Sequence, residues 1–495
     1  MRQQERFNDG WVYLAGAVDP SGAWDDLISP GEPVTLPHTW NALDGQDGGN
    51  DYRRGQGSYV KRFSVSAVVT PLIQTWLEFR GANSSADVHL NGRHLARHDG
   101  GYSTFRVDLT PALTAENVLV VVVDNAPDDA VYPQRADFTF YGGLYRDVRL
   151  IRVPSAHFRL DDRGGPGLIV APALEGSSAR VALRAEVTGG GALRVSIDGG
   201  GPRVAPGGAG GPETVLTVEE ARRWHGLRDP HLYLATAELL VAGEPVDEVA
   251  LRFGCREFAV DPDRGFLLNG ETYPLRGVAR HQDWEGVGNA ITPAMMETDL
   301  GLLLELGATT VRLAHYQHDQ RFYDLCDEVG IVVWAEIPQI TEFLPDGRAN
   351  AASQLTELIV QNRHHASIVC WAISNEITFG GLRDEILPAH RQLNDLAHRL
   401  DPTRPTAIAH VSLLAADDPL VHLTDLVSYN LYYGWYEGEL ADNDRWVAGF
   451  HAAHPGVPVG LSEYGADGNP RFQTADPVRG DYSETYQARH HEHML

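Results

Sequence analysis

Short strand-like runs between turn residues fill the first half of this 495-residue chain, and from about residue 260 apolar strands alternate with helical stripes. These two patterns, with a length too great for one hydrophobic core, predict three domains in series. A β-sandwich of jelly-roll type is expected over 1–152, and an immunoglobulin-like β-sandwich over 153–257. A (β/α)8 TIM barrel that lacks its last strand is expected over 258–495.

In the first domain the strand runs are 58–65, 75–79, 86–90 and 118–123, and helical periodicity is absent. Asn91-Gly92 marks a tight hairpin. The second domain continues the pattern at 168–170, 181–187, 193–197 and 234–241. Its stretch 199–211 is rich in Gly and Pro and reads as a flexible loop inside the module.

The barrel opens with a strand at 273–279. Thr292-Pro293 then gives an N-cap and a first-turn proline, and Met296, Leu300, Leu303 and Leu304 form the stripe of a helix that Gly307 ends. Strand two is 309–314. Phe322, Leu325, Cys326 and Val329 line the next helix, with Gly330 as its stop. Strand three is 331–335, and a helix around 355–362 leads to strand four at 368–374. Ile386, Ala389, Leu393, Leu396 and Leu400 make a helix ended by Asp401-Pro402. Strands five, six and seven fall at 406–409, 426–428 and 457–461, and Tyr486, His490 and His493 belong to a last helix. A closed barrel needs eight strands. An incomplete sequence is the expectation, with closure by another segment as the alternative.

Composition excludes several classes. There are 40 basic and 67 acidic residues, a formal charge of −27. Such a surface repels phosphate backbones, which argues against a nucleic-acid partner. No run of 18 apolar residues occurs, so no membrane span is expected. Cys255, Cys326 and Cys370 lie far apart and form no CxxC pair. Three unpaired thiols and a polar start without an apolar h-region point to the cytoplasm. His490-His491-Glu492-His493 could suggest a metal, but a solvated helix face is the plainer reading. Gly207–Gly211 lacks the Lys-Ser/Thr of a phosphate loop.

Barrel active sites lie at the C-terminal ends of the strands. Ser374-Asn375-Glu376 follows strand four, and Ser462-Glu463-Tyr464-Gly465 follows strand seven. Those strands face each other across the mouth, so both acids can reach one cavity. Two facing carboxylates suit glycoside hydrolysis, in which one protonates the leaving oxygen and the other, ionised, attacks the anomeric carbon. Arg312, near the end of strand two, is a candidate to keep Glu463 ionised, and Asn375 a candidate to bind a sugar 2-hydroxyl. The plainer alternative for each acid is a helix cap or a partner for an arginine.

Several motifs in order carry a family resemblance. Ile373-Ser374-Asn375-Glu376 and Leu461-Ser462-Glu463-Tyr464-Gly465-Ala466 resemble the acid/base and nucleophile motifs of glycoside hydrolase family 2, which includes β-galactosidases, β-glucuronidases and β-mannosidases. Leu36-Pro37-His38-Thr39-Trp40-Asn41 and Tyr141-Gly142-Gly143-Leu144-Tyr145-Arg146-Asp147-Val148 look like its N-terminal sugar-binding domain. Trp224 and Asp229-Pro230-His231-Leu232-Tyr233 resemble the end of its central sandwich, and Phe253-Gly254-Cys255-Arg256 the barrel entry. Arg276 to His281 and Val311 to Tyr316 resemble strands one and two.

The resemblance implies a retaining double displacement with Glu376 as acid/base and Glu463 as nucleophile. It implies that His281 and His315 contact sugar hydroxyls, that Tyr432 hydrogen-bonds the nucleophile, and that Asp137 reaches from the first domain to the sugar. The alternatives are satisfied buried histidines, a packing tyrosine and a surface loop acid. Trp334 and Glu336 line the pocket or pack beneath it. Members often use Mg²⁺ or Na⁺; no ligand for either is assigned, and no cofactor is required. The implied partner is a small carbohydrate with a terminal β-galactoside, and a homo-oligomer stays open.

Within the family, three features resemble the β-galactosidase branch. Glu376 is followed by Ile377-Thr378 rather than by the Pro typical of glucuronidases. His315-Tyr316-Gln317-His318 and Val333-Trp334-Ala335-Glu336-Ile337-Pro338 look like that branch, as do Tyr59 and the loop at 44–49. Members place a tryptophan at the end of strand eight, and glucuronidases an Asn-x-Lys pair beyond it; neither falls within these residues. β-Galactosidase is therefore the expectation, with a β-glucuronidase or other β-glycosidase of the family, or a catalytically impaired sugar-binding fragment, as alternatives.

Overall fold

The computed structural model describes residues 1–44, 51–65, 72–207 and 211–494. The loop at 44–49 lies outside these residues beyond Asp44. The first domain is a sandwich of two antiparallel sheets. One orders Glu32–Val34, Trp11–Ala15, Gln56–Ser64, Glu116–Asp124, Ser85–Leu90 and Arg93–Asp99; the other Gln3–Arg6, Val148–Pro154, Ile73–Phe79 and Phe105–Asp108. Tyr59, Leu77, Phe79, Val88 and Val121 meet between them as a buried core. Asn91 and Gly92, at φ +53° and +79°, supply the two left-handed residues of the tight hairpin that joins Ser85–Leu90 to Arg93–Asp99.

The second sandwich pairs a three-stranded sheet (Leu168–Glu175, Ser178–Ala185, Glu213–Val218) with a four-stranded one (Arg203–Ala205, Ala192–Ile197, Tyr233–Val241, Glu244–Phe253). Val181, Leu183, Leu193, Ala237 and Phe253 fill its interior. The expected loop at 199–211 contains a strand. Arg203–Ala205 pairs with Leu193–Val195 and buries Ala205, a gain its glycine-rich surroundings hid; residues 208–210 lie outside those described.

The barrel sheet has seven parallel strands in sequence order: β1 (Gly277–Arg280), β2 (Thr310–Leu313), β3 (Val332–Glu336), β4 (Ile368–Asn375), β5 (Thr406–Val411), β6 (Leu426–Asn430) and β7 (Val459–Glu463). Around it run α1 (Pro293–Glu305), α2 (Gln320–Val329), α3 (Arg348–Asn362), α4 (Ile386–Leu400), α5 (Ala441–Ala453) and α6 (Glu484–Met494). The fold class is the expected one: two sandwiches and a nearly closed barrel one strand short. Among the described residues no pairing joins β7 to β1.

Local chemistry sets the elements. Thr292 Oγ1 accepts from Met295 N ahead of Pro293, and Gly330 closes α2 at φ +90°. β1 is shorter than the run at 273–279: Pro274 has no N–H to give a ladder, and the run pairs only from Gly277. Turns alone link β5 to β6, and the sequence pattern missed α5. Beneath the barrel, Phe258–Asp261, Gly265–Leu268 and Glu271–Thr272 form a small sheet whose Leu268 packs with Trp224, Val332 and Cys370. All three cysteines are free and buried. No helix among the described residues is long and apolar enough to cross a membrane.

Candidate active site

β4 and β7 deliver their acids to the same end of the barrel. β4 stops at Asn375, and Glu376 follows at φ +45° with its N–H donated to the Ala409 carbonyl at 2.8 Å. Glu463 is the last residue of β7. Asn430, the last residue of β6, links them: its Nδ2 donates to Glu376 Oε1 at 3.0 Å and Asn375 Oδ1 at 3.1 Å, while its Oδ1 accepts from Ser462 Oγ at 2.8 Å.

The two carboxyls sit in unlike surroundings. Burial and the charge of Glu463 push the Glu376 carboxyl up, against the opposing Asn430 bond. Glu463 accepts from donors on both oxygens: Arg312 Nη1 on Oε1, and the Tyr432 hydroxyl on Oε2 at 2.6 Å. His315 Nε2 lies 3.6 Å from Oε1. Burial, then the Glu463 charge, lifts the Tyr432 hydroxyl far above its ordinary range, so it stays a donor.

A third acid, Glu336 at the end of β3, lies beneath. It accepts from Arg312 Nε and Nη2 at 3.1 and 3.0 Å and from Trp334 Nε1 at 2.9 Å, and its Oε1 lies 2.8 Å from His315 Nδ1. Burial raises the Glu336 carboxyl, but Arg312 and the His315 and Trp334 donors outweigh it and hold it low. Burial likewise lowers the Arg312 cation, and Glu336 and Glu463 more than restore it. Arg312 Nη2 also reaches Asn375 Oδ1 at 2.8 Å, so one guanidinium ties β2, β3, β4 and β7 together.

Glu376, Glu463, Arg312, His315, Asn375 and Tyr432 thus form one connected cluster. His281 borders it: Nδ1 lies 3.0 Å from the Tyr316 hydroxyl and its ring 5.4 Å from that of His315. Burial, then the neighbouring His315, takes His281 down to about 4, so it is neutral at neutral pH. Asp137 is exposed on the first domain's loop, and its charge acts on His281 and Tyr436, which border the cluster. The next residue packs on the barrel histidines: the Phe138 ring lies 5.0 Å from His281 and 6.0 Å from His315. Sequence reasoning missed Phe138, Asn430 and Ser462. Asn430 had a signal, since it ends β6 as Asn375 ends β4.

Among the described residues no group of three His, Cys, Asp or Glu could hold a metal ion. The run on α6 is not simply a solvated face, because His490 is fully buried. A separate cavity of about 310 Å³ between α3 and α4, lined by Tyr132, Phe343, Ala389 and Leu393, contains none of the cluster.

Comparison with known proteins agrees with this architecture. The sugar-binding domain of glycosyl hydrolases family 2 matches residues 34–154, and the TIM barrel domain of that family matches 259–490. A β-glucuronidase of Bacteroides fragilis is 36% identical over 462 residues, covering 88% of this chain. The chain spans 65% of that relative's length. A solved FMN-binding β-glucuronidase from Facaelibacterium prausnitzii L2-6 superposes with a TM-score of 0.94 at 42% identity, over 100% of this chain and 77% of that one. A solved putative β-galactosidase from Bacteroides fragilis gives a TM-score of 0.92 at 32% identity, again over 100% and 77%. The chain belongs to glycoside hydrolase family 2.

Proposed function

We propose that this protein is a retaining exo-β-glycosidase whose preferred substrates are β-glucuronides. The observation that carries the reaction type is the contrast between the two carboxyls. Glu376, pushed up by burial and by Glu463, suits the proton donor. Glu463, held by Arg312 and Tyr432, suits the carboxylate that attacks the anomeric carbon. Glu376 protonates the leaving oxygen as Glu463 forms a glycosyl-enzyme, and Glu376 then takes a proton from the water that releases the sugar. In this reading His281, His315 and Asn375 bind sugar hydroxyls, and Asp137 is the first domain's contribution at the rim.

The sugar is chosen on likeness. Relatives named β-glucuronidase stand at 36% and 42% identity, above the 32% of the putative β-galactosidase. That ordering favours the glucuronide over the galactoside expected from the sequence runs around His315 and Glu336, which becomes the second reading. The division at 1–152, 153–257 and 258–495 is part of the proposal. Each part has its own sheets, although Val148–Pro154 runs past the first boundary.

The test is hydrolysis of 4-nitrophenyl β-glucuronide and β-galactoside at equal concentration, beside the Glu463→Gln variant. Glucuronide turnover should dominate and should vanish in the variant. Dominant galactoside turnover would overturn the sugar assignment, and turnover that survives Glu463→Gln would overturn the mechanism.

A further inference from the structure

Ser374 and His390 lie behind Glu376 and have no part in the reaction proposed above. His390, on α4, is fully buried. Its Nδ1–H donates to the Ile386 carbonyl one turn back at 2.8 Å, which leaves Nε2 as the acceptor. That Nε2 accepts from Ser374 Oγ at 2.9 Å and from Gln339 Nε2 at 3.1 Å. Burial lowers the imidazole to about 4, so it remains a neutral acceptor at neutral pH.

Apolar chain neighbours flank the pair, and a second buried histidine, His410, lies within electrostatic reach of His390. Ile373, Ala389 and Leu393 lie in one buried core, where burying polar groups is unfavourable unless they pair. The pair also stands where the backbone needs support. Glu376 has φ +45°, and Thr341, across from it, φ +66°. Residues with a Cβ rarely adopt that region, β-branched ones least of all, and they remain there only where neighbours over-determine them. The Gln339 carbonyl accepts from Asn375 N, and the Asn375 carbonyl from Thr341 N, both at 3.0 Å. Gln339 thus clamps this turn through its backbone while its side chain shares the His390 acceptor with Ser374.

We propose that Ser374 and His390 are a positioning pair that holds the strained turn at Glu376 and aims its carboxyl at the leaving-group oxygen. The inference rests on the acid/base reading of Glu376. A misaimed acid harms departure of a poor leaving group and spares a good one, which needs no proton.

The experiment measures kcat/KM of wild type, Ser374→Ala, His390→Leu and the double variant on phenyl and 2,4-dinitrophenyl β-glucuronides. For each variant the phenyl substrate should lose about tenfold or more, and the dinitrophenyl substrate no more than about twofold. The double variant should be no worse than the worse single one, as for groups acting as a unit. Equal losses on both substrates, or no loss, would overturn the pair. Crystal structures of wild type and Ser374→Ala separate this from failure of the underlying reading. If wild type turns over neither glucuronide, the glucuronide reading falls, and the positioning inference is decided by geometry. It stands if φ at residue 376 leaves the left-handed region or the Asn430 contact is lost in the variant, and falls if both persist.

Discussion

A carboxyl cannot both give a proton and attack, and in this chain environment divides the two tasks between chemically identical side chains. The left-handed backbone at Glu376 costs about 1–3 kcal/mol and turns the carboxyl toward Asn430. Two predictions belong to single residues. Glu463→Gln removes the negative charge that helps push Glu376 up, so the Glu376 carboxyl should titrate at lower pH in that variant, read by ¹³C NMR of labelled glutamate. An unchanged or higher value would contradict the coupling. Glu376→Ala should lower turnover of phenyl β-glucuronide by about 10²–10⁴-fold while 2,4-dinitrophenyl β-glucuronide still gives a burst of dinitrophenol. A full-rate steady state on both substrates would contradict its role.

The strands of the barrel are tied at their upper ends by one buried ion network, and its hub is Arg312. Glu336 joins β3 to it, so Glu336→Ala leaves a buried guanidinium and a buried imidazole short of a partner. Breaking a buried pair costs about 3–5 kcal/mol; urea denaturation should register a loss of that order together with lost activity. A change under about 1 kcal/mol would mean that the hub does not depend on Glu336. At the far end of α2, a Cβ on Gly330 would meet the Gly226 backbone at 2.2 Å, at a φ of +90°. Gly330→Ala should therefore destabilise by more than about 1 kcal/mol, and wild-type stability would contradict the contact. Elements with strong period or punctuation were legible in the sequence: α1 from Thr292-Pro293, α2 from its stripe and Gly330, β4 from its apolar run. β1 came out shorter because proline interrupts its ladder, and Arg203–Ala205 was hidden because three residues among glycines show no period. At the site, acids at strand ends could be read from position. Phe138 could not, because only tertiary packing brings a residue of the first domain against barrel histidines.

At the scale of the molecule, the first domain is joined to the barrel beside the site. The Tyr141 hydroxyl donates to Asp283 at 2.9 Å, and Arg146 Nη2 to Gln282 Oε1 and the Gln317 carbonyl at 2.8 Å each. These buried and half-buried bonds set the loop that carries Asp137 and Phe138 over β1 and β2. Phe138→Ala should weaken substrate binding, seen as a raised KM, while circular dichroism and melting temperature stay near wild type. Unchanged kinetics would confine the first domain to a structural part.

The proposed reaction requires Glu463 to form a covalent bond to the sugar. Incubation with 2,4-dinitrophenyl 2-deoxy-2-fluoro-β-D-glucuronide, followed by mass spectrometry of the digested protein, tests it most directly. One fluoroglucuronyl group per chain is expected, on the peptide that contains Glu463, and none in Glu463→Gln. A label on Glu376 or Glu336, or one that persists in the variant, would contradict it.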